Sequence, residues 1–168
     1  MGRNFGPCYT AAMPLKVDEA QFEKNGRLAG IAIALFTMRA MERWRVNLTD
    51  YDCVMIMIAV IAITSEPLLK TGLDAEYRTL RKPIDPKLVR KANISSIAHA
   101  TGLNRETTRR KVNSLVEDGL LARLEDGSVS FRAGLVQEDR IRDQVRGQLG
   151  EIVAIANQLQ KIGVRTRG

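Results

Sequence analysis

Two short helical patterns, joined by a glycine turn and followed by a hairpin pattern, restrict the fold of this chain more than any other feature of its sequence. The first pattern begins near Ile94, and Gly102 can end it in a left-handed conformation. Asn104 is a strong N-cap for a second helix that runs to Asp118. The string LLARLEDGSVSFR then alternates in polarity on both sides of a turn at EDGS. The sequence therefore predicts a helix-turn-helix followed by a β-hairpin.

The second helix of this pair has one apolar side and one polar side. At about 100° per residue, the apolar side holds Thr108, Val112, Leu115 and Val116, and the polar side holds Glu106, Arg110, Asn113 and Glu117, with Arg105 and Arg109 at its border. A solvated basic face would explain this helix alone, but not the glycine turn and the hairpin beside it. The major groove of B-DNA accommodates one helix, and the arginine fork matches the paired acceptors of guanine. The polar side is therefore predicted to contact double-stranded DNA.

Positive charge is concentrated around this segment. The 168-residue chain has a formal net charge of +7. Residues 78–132 hold 12 basic and 6 acidic residues, whereas residues 1–77 hold 8 basic and 9 acidic residues. A concentrated basic segment indicates a polyanionic partner. RNA binding is a weaker alternative, because the sequence lacks the interleaved aromatic residues of a stacking platform.

Several other classes of protein are disfavoured by the sequence. His99 is the only histidine, so a histidine-based metal cluster or catalytic triad cannot be assembled, and no catalytic residue, metal or cofactor is expected. Cys8 and Cys53 lie in no metal-binding spacing and are predicted to be reduced thiols. The longest apolar run, residues 53–64, is shorter than the roughly 20 residues that a membrane span needs. No signal peptide is expected at the N-terminus. These observations favour a cytoplasmic protein that does not enter a membrane.

The segments on both sides of residues 93–133 are predicted to be mostly helical. Apolar residues recur at helical spacing from Glu19 to about Arg45, on more than one face, which indicates contact between subunits. A second helix is expected with Thr49 as its N-cap and its end before Pro67, and a short helix with Pro86 at its first position. A coiled-coil-like seam is formed by Ile141, Val145, Leu149, Ile152, Ala156 and Leu159.

These patterns divide the chain into five regions. Residues 1–18 are an irregular arm, 19–65 a helical core and dimerisation region, 66–92 a connector with a short helix, 93–133 the predicted DNA-binding region, and 134–168 a C-terminal dimerisation helix. The expected fold class is mainly α, with a winged helix-turn-helix, a small β-hairpin wing, and flanking N- and C-terminal dimerisation helices.

The strings LNRETTRR and LVEDGLL resemble the winged helix-turn-helix of bacterial transcription regulators. Arg105, Glu106, Thr107 and Arg110 are similar to the start of the recognition helix in the catabolite-activator family. That resemblance implies base contacts for Arg105, Glu106 and Arg110, and a phosphate contact for Thr107. No cyclic-nucleotide-binding β-roll precedes the strings, so cAMP is not expected as a ligand. The order of the elements is similar to that of the MarR family, and LTDYDCVMIMIAV resembles the second helix of that family.

Further candidate residues lie on the same polar side or on neighbouring elements. Asn113 is a candidate for base contact, and the candidates for phosphate contact are Ser95, Arg109, Lys111, Arg123 and Arg132. The preferred hypothesis is a homodimeric, sequence-specific transcriptional regulator that binds double-stranded DNA. The alternative is a winged-helix module that makes protein contacts in a larger assembly without specific DNA binding. Whether a small-molecule effector exists is left open by the sequence.

Overall fold

The computed structural model describes residues 15–46, 48 and 50–167, and it divides the chain into two compact units. Among the described residues, one unit contains 15–39 together with 149–167, and the other contains 40–46, 48 and 50–148. The fold is mainly helical, with two small antiparallel sheets of two strands each. Cys8 and most of the predicted N-terminal arm lie outside the described residues.

After a short strand at residues 15–17, the chain forms two long helices. Helix α1 is Glu19–Arg45, as the spacing of apolar residues predicted. Helix α2 is Tyr51–Thr71, and its N-cap is Asp50, whose side chain accepts a hydrogen bond from the Cys53 amide at 3.0 Å. The predicted cap, Thr49, lies outside the described residues.

The predicted end of α2 before Pro67 is wrong, because this proline lies inside the helix. A proline in a helix removes one amide donor and pushes on the carbonyls of the preceding turn. In that turn, the Thr64 carbonyl accepts a hydrogen bond at 3.1 Å from the Arg90 amide of the connector. The amide that Pro67 lacks would have paired with the Ile63 carbonyl, so the Arg90 bond joins the connector to the adjacent residue and does not replace it. Helix α2 nevertheless continues to Thr71.

The connector after α2 contains two single turns of 3-10 helix, Ala75–Tyr77 and Pro86–Leu88. The second begins as predicted, with the Asp85 side chain accepting a hydrogen bond from the Lys87 amide at 2.9 Å. The connector then reaches Ala92, which forms a bridge to Val129 of the hairpin.

The next elements are two helices and a hairpin. Helix α3 is Ile94–Thr101, and Gly102 ends it with a φ of 72°, in the left-handed region where glycine is favoured. Helix α4 is Arg105–Glu117, capped by Asn104 as predicted. Strands β2, Leu121–Arg123, and β3, Val129–Phe131, form the predicted antiparallel hairpin.

The hydrophobic core of the larger unit lies where α2, α3, α4 and the hairpin meet. Its most buried members are Cys53, Ile56, Val60, Ala92, Ile97, Val112, Leu115, Leu121, Val129 and Leu135. By length and composition alone, α2 could cross a membrane, because the helix is longer than the apolar run that its sequence displays. However, one side of α2 contributes five residues to this core. We therefore interpret α2 as the central helix of the unit.

The chain ends with helix α5, Asp139–Lys161, and a short strand. A 3-10 turn, Leu135–Gln137, precedes α5. Strand β4, Arg165–Arg167, pairs with strand β1, Leu15–Val17, in antiparallel register. The prediction of an irregular structure was therefore wrong for residues 15–17. A strand of three residues whose partner lies at the other end of the chain leaves no local periodic signal.

Candidate functional site

Helix α4 presents its polar side outward, as its sequence predicts. Thr108 and Val112 are fully buried and Leu115 is 1% exposed, whereas Arg105 and Arg110 are exposed. A shallow groove of about 320 Å³ runs along the outward side. It is lined by Glu106, Arg109, Arg110, Asn113, Ser114 and Glu117.

Several contacts fix α4 in this orientation. The Asn104 side chain accepts a hydrogen bond from the Thr107 amide at 2.7 Å, so the first turn of the helix is capped. The Thr108 hydroxyl donates to the Asn104 carbonyl at 2.9 Å, which satisfies a buried polar group within the helix itself. Because Val112 and Leu115 belong to the core, the outward residues are displayed on a rigid support.

Glu106 and Arg109 form a bidentate ion pair on the outward side of α4. The Nε and Nη2 atoms of Arg109 donate to the two carboxylate oxygens of Glu106 at 3.0 and 2.8 Å. The hydrogen bond from Arg109 lowers the pKa of Glu106 below its ordinary value, and the same bond raises the pKa of Arg109. Glu106 is therefore ionised at neutral pH and acts only as an acceptor.

The guanidinium groups of Arg105 and Arg110 are available to bind an external partner. Neither makes a side-chain hydrogen bond or an ion pair with the described part of the chain. Arg110 lies in the middle of the groove on α4. Arg105 lies at the edge of a second depression of about 510 Å³, between the start of α3 and the hairpin turn. Each guanidinium group can therefore donate hydrogen bonds to an external partner without breaking an internal hydrogen bond or ion pair.

The hairpin is joined to the outward side of α4 through Arg123. One guanidinium nitrogen, Nη2, donates to the Asn113 side-chain oxygen, and Nη1 donates to the Gly127 carbonyl at 3.3 Å. The Asn113 oxygen is thereby occupied, and its amide nitrogen remains as a donor. This contact places a base-contact candidate and a phosphate-contact candidate on one continuous surface.

The second depression contains Ser95 together with residues that the sequence analysis did not select. Ser95 is exposed in the first turn of α3 and lines the depression with Arg105. Lys91 lies there too, and its ammonium group donates to Asp126 of the hairpin turn at 2.7 Å. That bond, with further bonds from Ser128, holds the pKa of Asp126 well below its ordinary range. A contact across 35 residues has no signal in the sequence pattern.

Lys111, which the sequence predicts to contact phosphate, points away from the outward side of α4. Its side chain is only 20% exposed, and its ammonium group forms an ion pair with Asp50, the N-cap of α2. The hydrogen bond from Lys111 lowers the pKa of Asp50, and the same bond raises the pKa of Lys111. The structure therefore gives Lys111 an internal partner that joins α4 to α2.

Arg132 also has internal partners. Its Nε donates to the Gly119 carbonyl at 2.6 Å, its Nη1 donates to the Ala133 carbonyl at 3.2 Å, and its Nη2 forms an ion pair with Glu138. A phosphate could be bound only in competition with these contacts. The candidate site therefore consists of the outward side of α4, Arg123 of the hairpin and the depression around Ser95. Lys111 and Arg132 lie outside it.

The described residues contain no group of three or more histidine, cysteine, aspartate or glutamate side chains that could hold a metal ion. His99 is exposed on α3. Comparisons with protein-family models, with curated proteins and with solved structures find no match to this chain.

Proposed function

We propose that residues 93–133 form a winged helix-turn-helix that binds double-stranded DNA, in a homodimeric, sequence-specific transcriptional regulator of the MarR-like type. The observation that carries this proposal is the outward side of α4, where Arg105 and Arg110 are exposed and form no side-chain hydrogen bond or ion pair within the described residues. The elements α3, α4 and the hairpin follow one another in the order that such a motif requires. In this proposal α4 is the recognition helix and the hairpin is the wing.

The groups on α4 are chemically suited to the edges of base pairs. An arginine fork can donate two hydrogen bonds to the O6 and N7 atoms of guanine, a role we assign to Arg105 and Arg110. An ionised Glu106 can accept a hydrogen bond from the amino group of cytosine, and the Asn113 amide can donate to a base acceptor. Arg109 can remain paired with Glu106 or turn to a phosphate, so it does not need to contact a base.

Phosphate contacts are assigned to the border of this surface. Thr107 and Ser95 lie in the first turns of α4 and α3, where the positive end of the helix dipole favours an anion. Arg123 extends from the hairpin beside α4. Such contacts fix the register of the protein on the duplex without distinguishing one base from another.

The proposed homodimer would cover apolar surface that a single chain leaves exposed. In the smaller unit, two sets of large apolar side chains are each about half exposed along one side of their helix: Leu28, Ile31, Leu35 and Met38 on α1, and Leu149, Ile152 and Val153 on α5. Phe22 and Ile33, also half exposed, lie on the opposite side of α1. Burying apolar area against a second copy is favourable by about 25 cal/mol per Å². We assign this surface to a second copy of the chain, and the assembly to the cytoplasm.

Selection of bound sequences from random duplex DNA, followed by titration of the selected and a scrambled duplex, tests the proposal. We expect an inverted repeat whose half-sites are centred about 10 base pairs apart, since two recognition helices of a two-fold dimer enter successive major grooves. Affinity should fall steeply with salt because phosphate contacts release counterions. Absence of duplex binding at low salt would instead favour a winged-helix module that contacts proteins.

A further inference from the structure

The guanidinium group of Arg132 connects three elements of the larger unit. The Nε of Arg132 donates a hydrogen bond to the carbonyl of Gly119. Gly119 ends the turn after α4 and has a φ of 68°. The Nη1 of Arg132 donates a hydrogen bond to the carbonyl of Ala133, which follows the hairpin. The Nη2 of Arg132 forms an ion pair with Glu138, which directly precedes α5. One side chain therefore spans the exit of α4, the end of the hairpin and the entry into α5.

Glu138 is itself part of the start of α5. Its backbone carbonyl accepts hydrogen bonds from the Ile141 amide at 3.0 Å and the Arg142 amide at 3.2 Å. The second carboxylate oxygen of Glu138 accepts a hydrogen bond from the Nε of Arg140 at 2.6 Å. Hydrogen bonds from Arg140 and then Arg132 lower the pKa of Glu138, so the carboxylate stays charged at neutral pH. The group that Arg132 holds is thus fixed to the first turn of α5.

We propose that Arg132 is a positioning residue that fixes the direction in which α5 leaves the DNA-binding region, and thereby the separation of the two recognition helices in the dimer. The second half of this inference rests on the proposed function. Helix α5 has 23 residues, so it is about 34 Å long at about 1.5 Å per residue. A change of about 10° at its first turn would displace its far end by about 6 Å, which is close to the rise of two base pairs. A small change at Arg132 would therefore alter the spacing at which two half-sites can be bound.

Substitution of Glu138 distinguishes this role from a phosphate contact. Glu138→Gln removes the charged partner but leaves Arg132 in place. If Arg132 contacts phosphate, the loss of the ion pair that competes for its Nη2 should strengthen binding to every duplex and make the salt dependence steeper. If Arg132 positions α5, the loss of the ion pair should leave the affinity for a single half-site unchanged and weaken only the selection between spacings. Arg140→Gln is the matched control, because Arg140 binds the same carboxylate from within α5 and connects no second element.

The first experiment needs no DNA. Spin labels are carried on unnatural residues at the exposed positions Glu125, in the hairpin turn, and Arg146, on α5, and labelled chains are diluted with unlabelled protein. We expect a narrow distance distribution in the wild type and in Arg140→Gln, and a clearly broader one in Glu138→Gln and in Arg132→Lys. Equal widths in all four proteins would overturn the proposal. Circular dichroism on each variant verifies that it is folded.

The second experiment measures affinities for duplexes whose half-sites are 9, 10, 11 or 12 base pairs apart, and for a single half-site. We expect the wild type and Arg140→Gln to prefer one spacing by at least tenfold, and Glu138→Gln to bind all spacings within about threefold. A stronger, more salt-dependent binding of Glu138→Gln to all duplexes would overturn the positioning role. If the wild type binds no duplex, the proposed function and the claim about helix separation fail together, while the label distances still decide whether Arg132 directs α5.

Discussion

Replacing Asp50 separates the two bonds that its carboxylate makes. One oxygen accepts a hydrogen bond from the Cys53 amide and so caps α2. The other oxygen forms an ion pair with the ammonium group of Lys111 on α4. Asparagine caps a helix as well as aspartate does, so Asp50→Asn removes only the charge, whereas Asp50→Ala removes the cap as well.

The expected losses of unfolding free energy follow from these two bonds. The ion pair is partly exposed, with Asp50 39% and Lys111 20% exposed, so screening limits its contribution to about 0.5 to 1 kcal/mol. The cap contributes about 1 kcal/mol. Asp50→Asn and Lys111→Met should therefore each cost about 0.5 to 1 kcal/mol, and Asp50→Ala about 2 kcal/mol. Urea denaturation of the three variants at pH 7 measures these values.

Acid provides an independent test of the same ion pair. The folded state lowers the pKa of Asp50, chiefly through the hydrogen bond from Lys111. The resulting stability is present above the pKa of an unfolded aspartate, about 3.9, and is lost as the pH falls through the folded value. The difference between the wild type and Asp50→Asn should therefore shrink below about pH 4. Equal losses for Asp50→Asn and Asp50→Ala, or a difference that does not depend on pH, would refute the reasoning. Lys111→Met should also leave the salt dependence of DNA binding unchanged.

Four further substitutions test other parts of the structure. Gly150→Ala should stabilise α5 by about 1 kcal/mol in urea denaturation, because the added methyl group meets no atom within 4 Å beyond its chain neighbours and its own helix backbone. Gly147→Ala should raise the free energy of unfolding by less, because its methyl group would lie 2.5 Å from Arg43 Nη1. Leu35→Asp, which places a charge on the exposed apolar surface of α1, should yield a monomer of 18.7 kDa in light scattering, whereas we expect the wild type to scatter as a dimer. Asn104→Ala should cost about 1 kcal/mol in thermal unfolding by removing the cap of α4, and an unchanged melting temperature would contradict the capping role.

The sequence predicted the elements whose signals are local. Gly102 and Asn104 marked the end of α3 and the start of α4, because a left-handed glycine and a side-chain cap act within a few residues of their own position. The buried and outward sides of α4 followed from helical periodicity alone. Pro67 misled the prediction, because a proline usually ends or kinks a helix and no local signal shows that α2 continues through it to Thr71.

Two of the phosphate-contact candidates have tertiary contacts that the sequence pattern does not show. A helical projection places Lys111 near the polar side of α4, but it cannot show that Asp50, 61 residues earlier, lies next to it. By sequence, Arg132 is a basic residue at the edge of a hairpin, and its contacts with the Gly119 carbonyl and Glu138 depend on the tertiary fold. In both cases the charge was visible in the sequence and its partner was not.

The claim that the outward side of α4 recognises DNA is tested most directly by Arg110→Ala. Titrations use the selected duplex and a scrambled duplex at two salt concentrations, with Lys161→Ala, in the last turn of α5, as a control that removes one positive charge elsewhere. We predict a loss of about 1 to 3 kcal/mol on the selected duplex, relaxed preference at one base position, and a much smaller loss on the scrambled duplex. The control should bind both duplexes almost as the wild type does. A loss by the same factor on both duplexes would contradict the account, because Arg110 would then supply charge without distinguishing bases.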